Sequence, residues 1–169
     1  RPQIARTDGH FSMGAAEILS LHPRSGGLDI AVRWEWPRKL AIWKVLCEDF
    51  FSRYVLRSDT VIDVGAGYCE FINNISCAKR IAVDLNPRVG EFAAPDVEVR
   101  NEDCTNLVSI PDETADVVFM SNFLEHLPSK QMVFDTLAEA RRILRRGGRL
   151  VILQPNVRLI PGAYWDFFD

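Results

Sequence analysis

Between residues 38 and 55 the apolar positions Leu40, Trp43, Leu46, Cys47, Phe50, Phe51 and Tyr54 recur at steps of three and four, the stripe of an amphipathic helix. Pro37 stands just before it, where a first-turn proline belongs, and Lys39, Lys44, Glu48, Asp49 and Arg53 supply much of the polar side. The period then changes. Residues 61–64 form a short apolar run of the buried-strand kind, and residues 80–83, 97–100, 115–120 and 149–153 repeat it. Between these runs the pattern predicts a helical piece over 70–76, a short helix between Pro87 and Pro95, and a long helix over 130–146. The last is capped by Ser129, carries Met132, Val133, Leu137, Ala140 and Leu144 at helical spacing, and ends at Gly147 and Gly148. Pro155 closes the last strand. Residues 1–36 read as an N-terminal extension, with a short helix over 13–21 and a loop at Gly26 and Gly27, and residues 37–169 as the main domain.

Strands alternating with helices, the strands almost continuously apolar, predict an α/β fold with a mostly parallel sheet covered on both faces. That is a Rossmann-like three-layer αβα sandwich. In such a sheet ligands bind beyond the carboxyl ends of the strands, where the strand order reverses. The residues that follow Val64, Val83, Arg100 and Met120 are therefore where chemistry is expected.

Composition narrows this picture. The 169 residues fit one domain, with 47% hydrophobic and 25% charged residues. A net charge of -3 exerts no general attraction on nucleic acid or an anionic membrane. No apolar run approaches membrane-span length, and the N-terminal "RPQIARTDGH" lacks the apolar core of a signal peptide. Cys47, Cys69, Cys77 and Cys104 form no C-x-x-C pair, so no metal site is expected; reduced thiols in a cytoplasmic protein are. The chain begins at Arg1 and stops within the aromatic run "GAYWDFFD", which predicts a piece of a longer protein and a sheet truncated after its fifth strand.

At the first strand end stands "DVGAG", Asp63 to Gly67, two glycines one residue apart that let the backbone turn and let a ligand approach its peptide groups. A tight turn with no ligand reads the same way. The G-x-G-x-x-G fingerprint of dinucleotide sites wants a third glycine where Glu70 stands. Asp84 ends the second strand, about 20 residues beyond Gly65, where a ribose-binding acid is expected; an Asp opening a turn before Asn86-Pro87 is the plainer alternative. Asp103 ends the third strand in "NEDCTNL" and could accept from the exocyclic amine of an adenine, or simply make a turn. Ser121 and Asn122 put small polar groups at the end of the fourth. Glu125 and His126 form an adjacent acid–imidazole pair, so His126 is either a general base or a residue packing the loop before Pro128. Arg141, Arg142, Arg145 and Arg146 read as a solvated face that complements a helix C-terminus, ahead of a nucleic-acid patch.

Together these segments resemble the class I S-adenosylmethionine-dependent methyltransferases, in particular a methyltransferase type 11-like subgroup. "VIDVGAGYCEF" is similar to the family's glycine-rich motif, "AVDLNP" to its acid-tipped second strand, and "NEDCTNL" to its adenine-contacting segment. "ADVVFMSNFLEHLPS" and "ARRILRRGGRLVILQPN" resemble its fourth-strand motif and its helix–Gly-Gly–strand segment. The resemblance implies S-adenosyl-L-methionine as cofactor and S-adenosyl-L-homocysteine as product. It implies that Asp63, Gly65, Ala66 and Gly67 shape the methionine side of the pocket, that Asp84 holds the ribose and that Leu85 packs on the adenine. Asp103 and Cys104 would contact the adenine edge, Ser121 and Asn122 would border the methionine portion, and Glu125 or His126 would serve as base. It implies a small-molecule or glycan acceptor, and the ending "PGAYWDFFD" suggests cell-surface polysaccharide synthesis. Cys69 departs from the family's D-x-G-x-G-x-G by standing where a third small residue is common, and is expected to narrow the loop. Two competing readings remain at this point. One is an NAD-dependent oxidoreductase, which Glu70 opposes by crowding and repelling a pyrophosphate. The other is a non-catalytic member that assembles, as a homodimer for example, through the edge of the fifth strand.

Overall fold

The computed structural model describes residues 29–156, 158 and 159, with side chains from residue 37 onward. The helix expected over 13–21 and the aromatic run at the C-terminus lie outside the described residues. The chain divides into two compact units, 1–41 and 42–169.

Helix α1, Asp29–Val45, starts well before the predicted stripe, and Pro37 lies in its interior rather than in its first turn. The stripe does not continue as one α-helix to residue 55. A π-helical turn, Leu46–Phe50, and a 3₁₀ turn, Phe51–Arg53, complete it. The spacing of the buried residues accounts for the change. Trp43, Cys47, Phe51 and Val55 are each four apart and all buried. A helix of 3.6 residues per turn would carry such a row around its axis, whereas the wider π turn keeps it facing the core.

Five strands follow: β1 (Thr60–Val64), β2 (Lys79–Val83), β3 (Val97–Arg100), β4 (Ala115–Ser121) and β5 (Leu144–Leu153). Every pairing is parallel and the order is β3-β2-β1-β4-β5. From β1 the chain builds outward to β2 and β3, then crosses to the other side for β4 and β5. The reversal therefore lies between the carboxyl ends of β1 and β4.

Successive residues of each strand point to opposite faces, and each face has its own core. On one, Val61, Ala82, Val117 and Phe119 meet Trp43, Cys47, Phe51 and Phe71, with the Phe71 and Phe119 rings stacked at 3.6 Å between centroids. On the other, Ile62, Val64, Ile81, Val83, Val118 and Met120 meet Ala140 and Ile143 of helix α2, Lys130–Ile143. Ser129 caps α2 as predicted, its side chain accepting from the Met132 amide at 3.2 Å.

Three connections differ from expectation. Residues 70–76 make isolated helical turns, Asn73 N to Cys69 O and Ile75 N to Phe71 O, both at 3.0 Å, rather than a regular helix. The asparagines compete for backbone partners. Asn73 bonds Phe92 O and Ala94 N, and Asn74 bonds Glu70 O. Between β2 and β3 a 3₁₀ turn, Pro87–Glu91, is capped by Asn86. The third difference is at α2, which stops three residues early. Leu144 is already extended and pairs with Ala115, yet the next register pair is Val117 with Arg149. Asp116 of β4 thus faces residues 145–148, an excursion of the strand that Gly147 (φ 80°) turns. A Cβ on Gly148 would sit 3.0 Å from Arg145 O and 3.1 Å from Asp116 O. The two glycines serve this bulge and not a helix end. Asp116 closes it by pairing with Arg145 and accepting the Thr60 amide at 2.7 Å.

β5 is the sheet edge among the described residues, and Leu150 and Ile152 are exposed on it. No helix of the described residues is long and apolar enough to cross a membrane.

Candidate cofactor site

The loops after β1, β2 and β4 meet at the strand-order reversal, and Asn101, just after β3, ties onto the β2 turn. Gly65 (φ 75°) turns the chain out of β1, and its amide and that of Ala66 both donate to Val83 O, at 2.9 and 3.1 Å. This ties the glycine loop to the end of β2. Gly67 (φ 52°) has nothing within 4 Å of a would-be Cβ, so the loop is open there. At Gly65 the opposite holds. A Cβ would lie 2.2 Å from Phe123 Cδ2, because the Phe123 ring from the β4 loop rests on the glycine.

Asp84 is held by both oxygens. Oδ2 accepts the Gly67 amide and Oδ1 the Asn86 amide, each at 2.8 Å. A carboxylate has about four lone-pair positions, so each oxygen keeps one for a further donor. Asn101 braces the same turn from β3, its Nδ2 bonding Asn86 O at 3.2 Å. Leu85, next to Asp84, is 73% exposed. A carboxylate able to take two hydroxyls beside an uncovered apolar side chain fits a ribose with a flat base against it.

Beneath the loop lie two buried acids. Asp63, opposite Ala82 and Phe119 at mid-sheet, is 3% exposed, and Glu70 is 9% exposed. Burial pushes the Asp63 carboxyl well above the usual carboxylate range; Glu70 and Asp84 add to this, while a bond from the Ile72 amide opposes it. Asp103 moves the other way. The Thr105 amide and hydroxyl donate to its Oδ1 at 2.8 and 2.7 Å and hold its carboxyl below the usual range.

A protein-family model described as a methyltransferase domain matches residues 62–152, just over half of the chain. The chain belongs to this methyltransferase family. A curated relative from Aspergillus luteorubrus, named "Probable methyltransferase ltbC", is 27% identical over 118 residues, 60% of this chain and 41% of the relative. The chain thus spans less than half the length of that curated protein. A solved S-adenosylmethionine-dependent methyltransferase from Archaeoglobus fulgidus aligns with TM-score 0.60 at 26% identity, over 76% of this chain and 59% of that one. A structure from Methanococcus maripaludis, assigned to the same enzymes, aligns at 0.61 and 18% identity, over 89% and 67% respectively. The fold is the Rossmann-like fold of S-adenosylmethionine-dependent methyltransferases, and the cofactor of these enzymes is the one the site must be judged against.

In this methyltransferase fold Gly65, Ala66, Gly67 and Asp84 are joined by hydrogen bonds, with Asp63 buried below them. Asp103 and Cys104 follow β3. Cys104 is half-buried, its Sγ 3.2 Å from Thr136 Oγ1. Ser121 pairs with Leu153, and the Asn122 amide bonds Leu153 O at 2.9 Å, which fixes the end of β4. Glu125 and His126 sit in an exposed 3₁₀ turn, Leu124–His126, and among the described residues neither side chain takes a hydrogen-bond or ion-pair partner.

Cys69 does not narrow the loop. Its φ of 59° is glycine-like, but its side chain is fully buried in the core, Sγ 3.8 Å from Val89 O. Burial pushes its thiol, like that of Cys47, up to about 12, so neither is a thiolate at neutral pH. All four cysteines are free. Nor is the arginine cluster one solvated face: Arg142, partly exposed, bonds Leu107 O, Ile110 O and Asp112 of the β3–β4 loop, and Arg145 pairs with Asp116. A cleft lined by Arg141, Arg145 and Arg146, about 610 Å³ in volume, opens at the opposite end of the strands from the glycine loop, beside Leu144 and Gly148. Sequence reasoning also missed Phe123 and Asn101. Nothing in the local pattern marked the Phe123 contact, whose glycine lies 58 residues away along the chain.

Proposed function

We propose that this chain transfers a methyl group from S-adenosylmethionine to a small molecule or glycan. The observation that carries the reading is Asp84, its carboxylate oriented by the Gly67 and Asn86 amides at the strand-order reversal, with exposed Leu85 beside it. Two buried acids, Asp63 and Glu70, lie beneath the loop, and their carboxyl groups suit a cationic cofactor better than a pyrophosphate. This favours S-adenosylmethionine over a nicotinamide dinucleotide.

The cofactor supplies an electrophilic methyl on a sulfonium whose departure leaves a neutral thioether, so no acid is needed. The chain's own contribution is positioning. Asp84 holds the ribose, Leu85 and Asp103 hold the base, and Gly65 to Gly67 with Ser121 and Asn122 border the amino-acid portion. Holding donor and acceptor at near-attack distance lowers the barrier by removing rotational and translational freedom. An oxygen acceptor also requires loss of a proton, and His126 or Glu125, exposed after β4, is the base in this reading. The type 11-like motifs favour a small-molecule or glycan acceptor, the ending "PGAYWDFFD" favours cell-surface polysaccharide synthesis, and the cysteine usage favours the cytoplasm.

Calorimetric titration tests the cofactor assignment. S-adenosylhomocysteine is expected to bind with a Kd on the order of micromolar, about 8 kcal/mol, and NADH not to bind. Absence of heat with S-adenosylhomocysteine by a folded protein rejects the assignment, and saturable NADH binding turns it toward the oxidoreductase. The exposed Leu150 and Ile152 on the β5 edge further favour pairing of two copies through that strand. Sedimentation velocity is expected to show a dimer that Ile152→Lys dissociates; a monomer at all concentrations removes this partner.

A further inference from the structure

The β3–β4 connection, residues 101–114, contains neither helix nor strand, yet in the reading above it carries Asp103, which faces the base of the cofactor. Its shape must come from elsewhere. Two buried side chains, Leu107 and Ile110, root it in the core. The rest comes from one face of α2, where Thr136, Glu139 and Arg142 recur at steps of three.

The contacts are dense. Glu139 Oε2 accepts the Leu107 amide at 2.9 Å, and Arg142 Nη2 donates to the Leu107 carbonyl at 2.8 Å, so both backbone groups of one loop residue are taken by two side chains of α2. Arg142 Nη1 reaches Ile110 O at 2.9 Å and Asp112 Oδ1 at 2.7 Å, and the Arg142 carbonyl accepts the Glu113 amide at 3.0 Å. Glu139 and Arg142 are locked to each other by a two-pronged bond, Nε to Oε1 at 3.0 Å and Nη2 to Oε2 at 2.8 Å. Thr136 Oγ1 stands 3.2 Å from Cys104 Sγ, next to Asp103. At the other end of the segment Asn101 ties it to the Asp84 turn.

We infer that Glu139 and Arg142 are positioning residues for the base-recognising side of the pocket: they shape the loop that presents Asp103 to the 6-amino group of a purine. The inference rests on the S-adenosylmethionine reading. Neither residue touches the ligand; each acts through Leu107 and the turn before it. A planar guanidinium with five donors in a fixed fork can hold two carbonyls and two carboxylates together, which lysine cannot. A site built to accept an N–H discriminates against a ligand that offers an oxygen there, because the acceptor is left facing another acceptor. The clamp therefore governs base selectivity, and a staple needed only for folding would not.

The experiment compares S-adenosylhomocysteine with S-inosylhomocysteine, in which a carbonyl oxygen replaces the 6-amino group. The wild-type protein is expected to prefer the adenine form by about tenfold or more. The double variant Glu139→Met/Arg142→Met removes both charges, so neither is left buried alone. It is expected to bind the adenine form about tenfold more weakly and to lose most of the preference, while Glu139→Gln, which keeps an acceptor for Leu107, retains it. Equal weakening of both ligands, with the ratio unchanged, overturns the inference and leaves the cofactor assignment standing. Binding of neither ligand by the wild-type protein overturns both. Should the double variant not fold, as judged by its melting curve, the ratio is read on Arg142→Lys, which keeps the charge facing Glu139 and gives up the fork to Leu107 and Ile110. A preference equal to wild type in that variant likewise overturns the inference.

Discussion

Replacing Gly65 by alanine is expected to lower S-adenosylhomocysteine affinity by more than about a hundredfold and to destabilise the protein by roughly 2–5 kcal/mol. Two effects add at this position. A φ of 75° places the residue in the left-handed region, which costs a side-chain-bearing residue about 1–2 kcal/mol. The added Cβ would then lie 2.2 Å from Phe123 Cδ2 and 2.5 Å from Cγ, far inside van der Waals contact, so either the ring or the loop must move. Overpacking of this kind costs about 1–3 kcal/mol. If the loop moves, the Gly65 and Ala66 amides leave Val83 O and the Gly67 amide leaves Asp84, so the damage passes directly to the ribose side. Thermal melts of Gly65→Ala, Phe123→Ala and the double variant separate the two terms. The steric part vanishes when the ring is absent, leaving a coupling of about 1 kcal/mol or more. Additive losses would mean that the ring does not rest on the glycine in solution.

Asp63→Asn is expected to stabilise the ligand-free protein at any pH above the folded-state pKa of Asp63, while weakening its hold on the cationic cofactor by about tenfold. The direction follows from proton linkage. The folded-state pKa of Asp63 lies well above the ordinary carboxylate value, chiefly through burial. The folded protein therefore binds this proton more tightly than the unfolded chain does. Above the folded pKa a buried charge works against folding, and this cost is relieved as pH falls through that pKa toward the ordinary value. Asp103 and Glu139 have the opposite sign. Hydrogen bonds from Thr105 and Arg142 hold their carboxyls below the usual range, and the stability they contribute is lost as pH falls through those lowered values. The melting temperature of the wild-type protein is thus expected to rise as pH falls through the folded pKa of Asp63 and then to fall at lower pH. In Asp63→Asn, whose amide oxygen can still accept from Ile72, the rise should disappear and the final fall remain. A variant that melts lower above that pKa, with the rise intact, would show that the charge on Asp63 is compensated inside the fold.

The strands were legible because a parallel sheet buried on both faces demands near-continuous apolar runs, and few other structures do. Each of the five observed strands contains its predicted run, and Asp84 follows the second, bonded to the glycine loop. Helical segments were less legible, because tertiary demands override periodicity. The row Trp43, Cys47, Phe51, Val55 required a π turn, and Asn73 and Asn74 diverted the backbone of 70–76 into side-chain bonds. Gly147 and Gly148 carried the composition of a helix end but answer to a steric contact with β4 that no local pattern contains. Within the site, residues defined by backbone shape or by charge at a strand end could be read from order and spacing. Phe123 and Arg142 could not, since their partners lie 58 and about 30 residues away along the chain.

The two amides on Asp84 also bear on how a ligand arrives. In many sites a carboxylate must give up rotamers and bound water before it can receive a hydroxyl, and the ordering subtracts from affinity. Here the rotamer is already chosen by Gly67 and Asn86 on either side. In the proposed reading, recognition on the ribose side is consequently close to lock-and-key, with little induced fit. Variation in affinity among related chains is then to be sought at the irregular segment that follows β3, where the shape of the pocket depends on side chains far from the ligand.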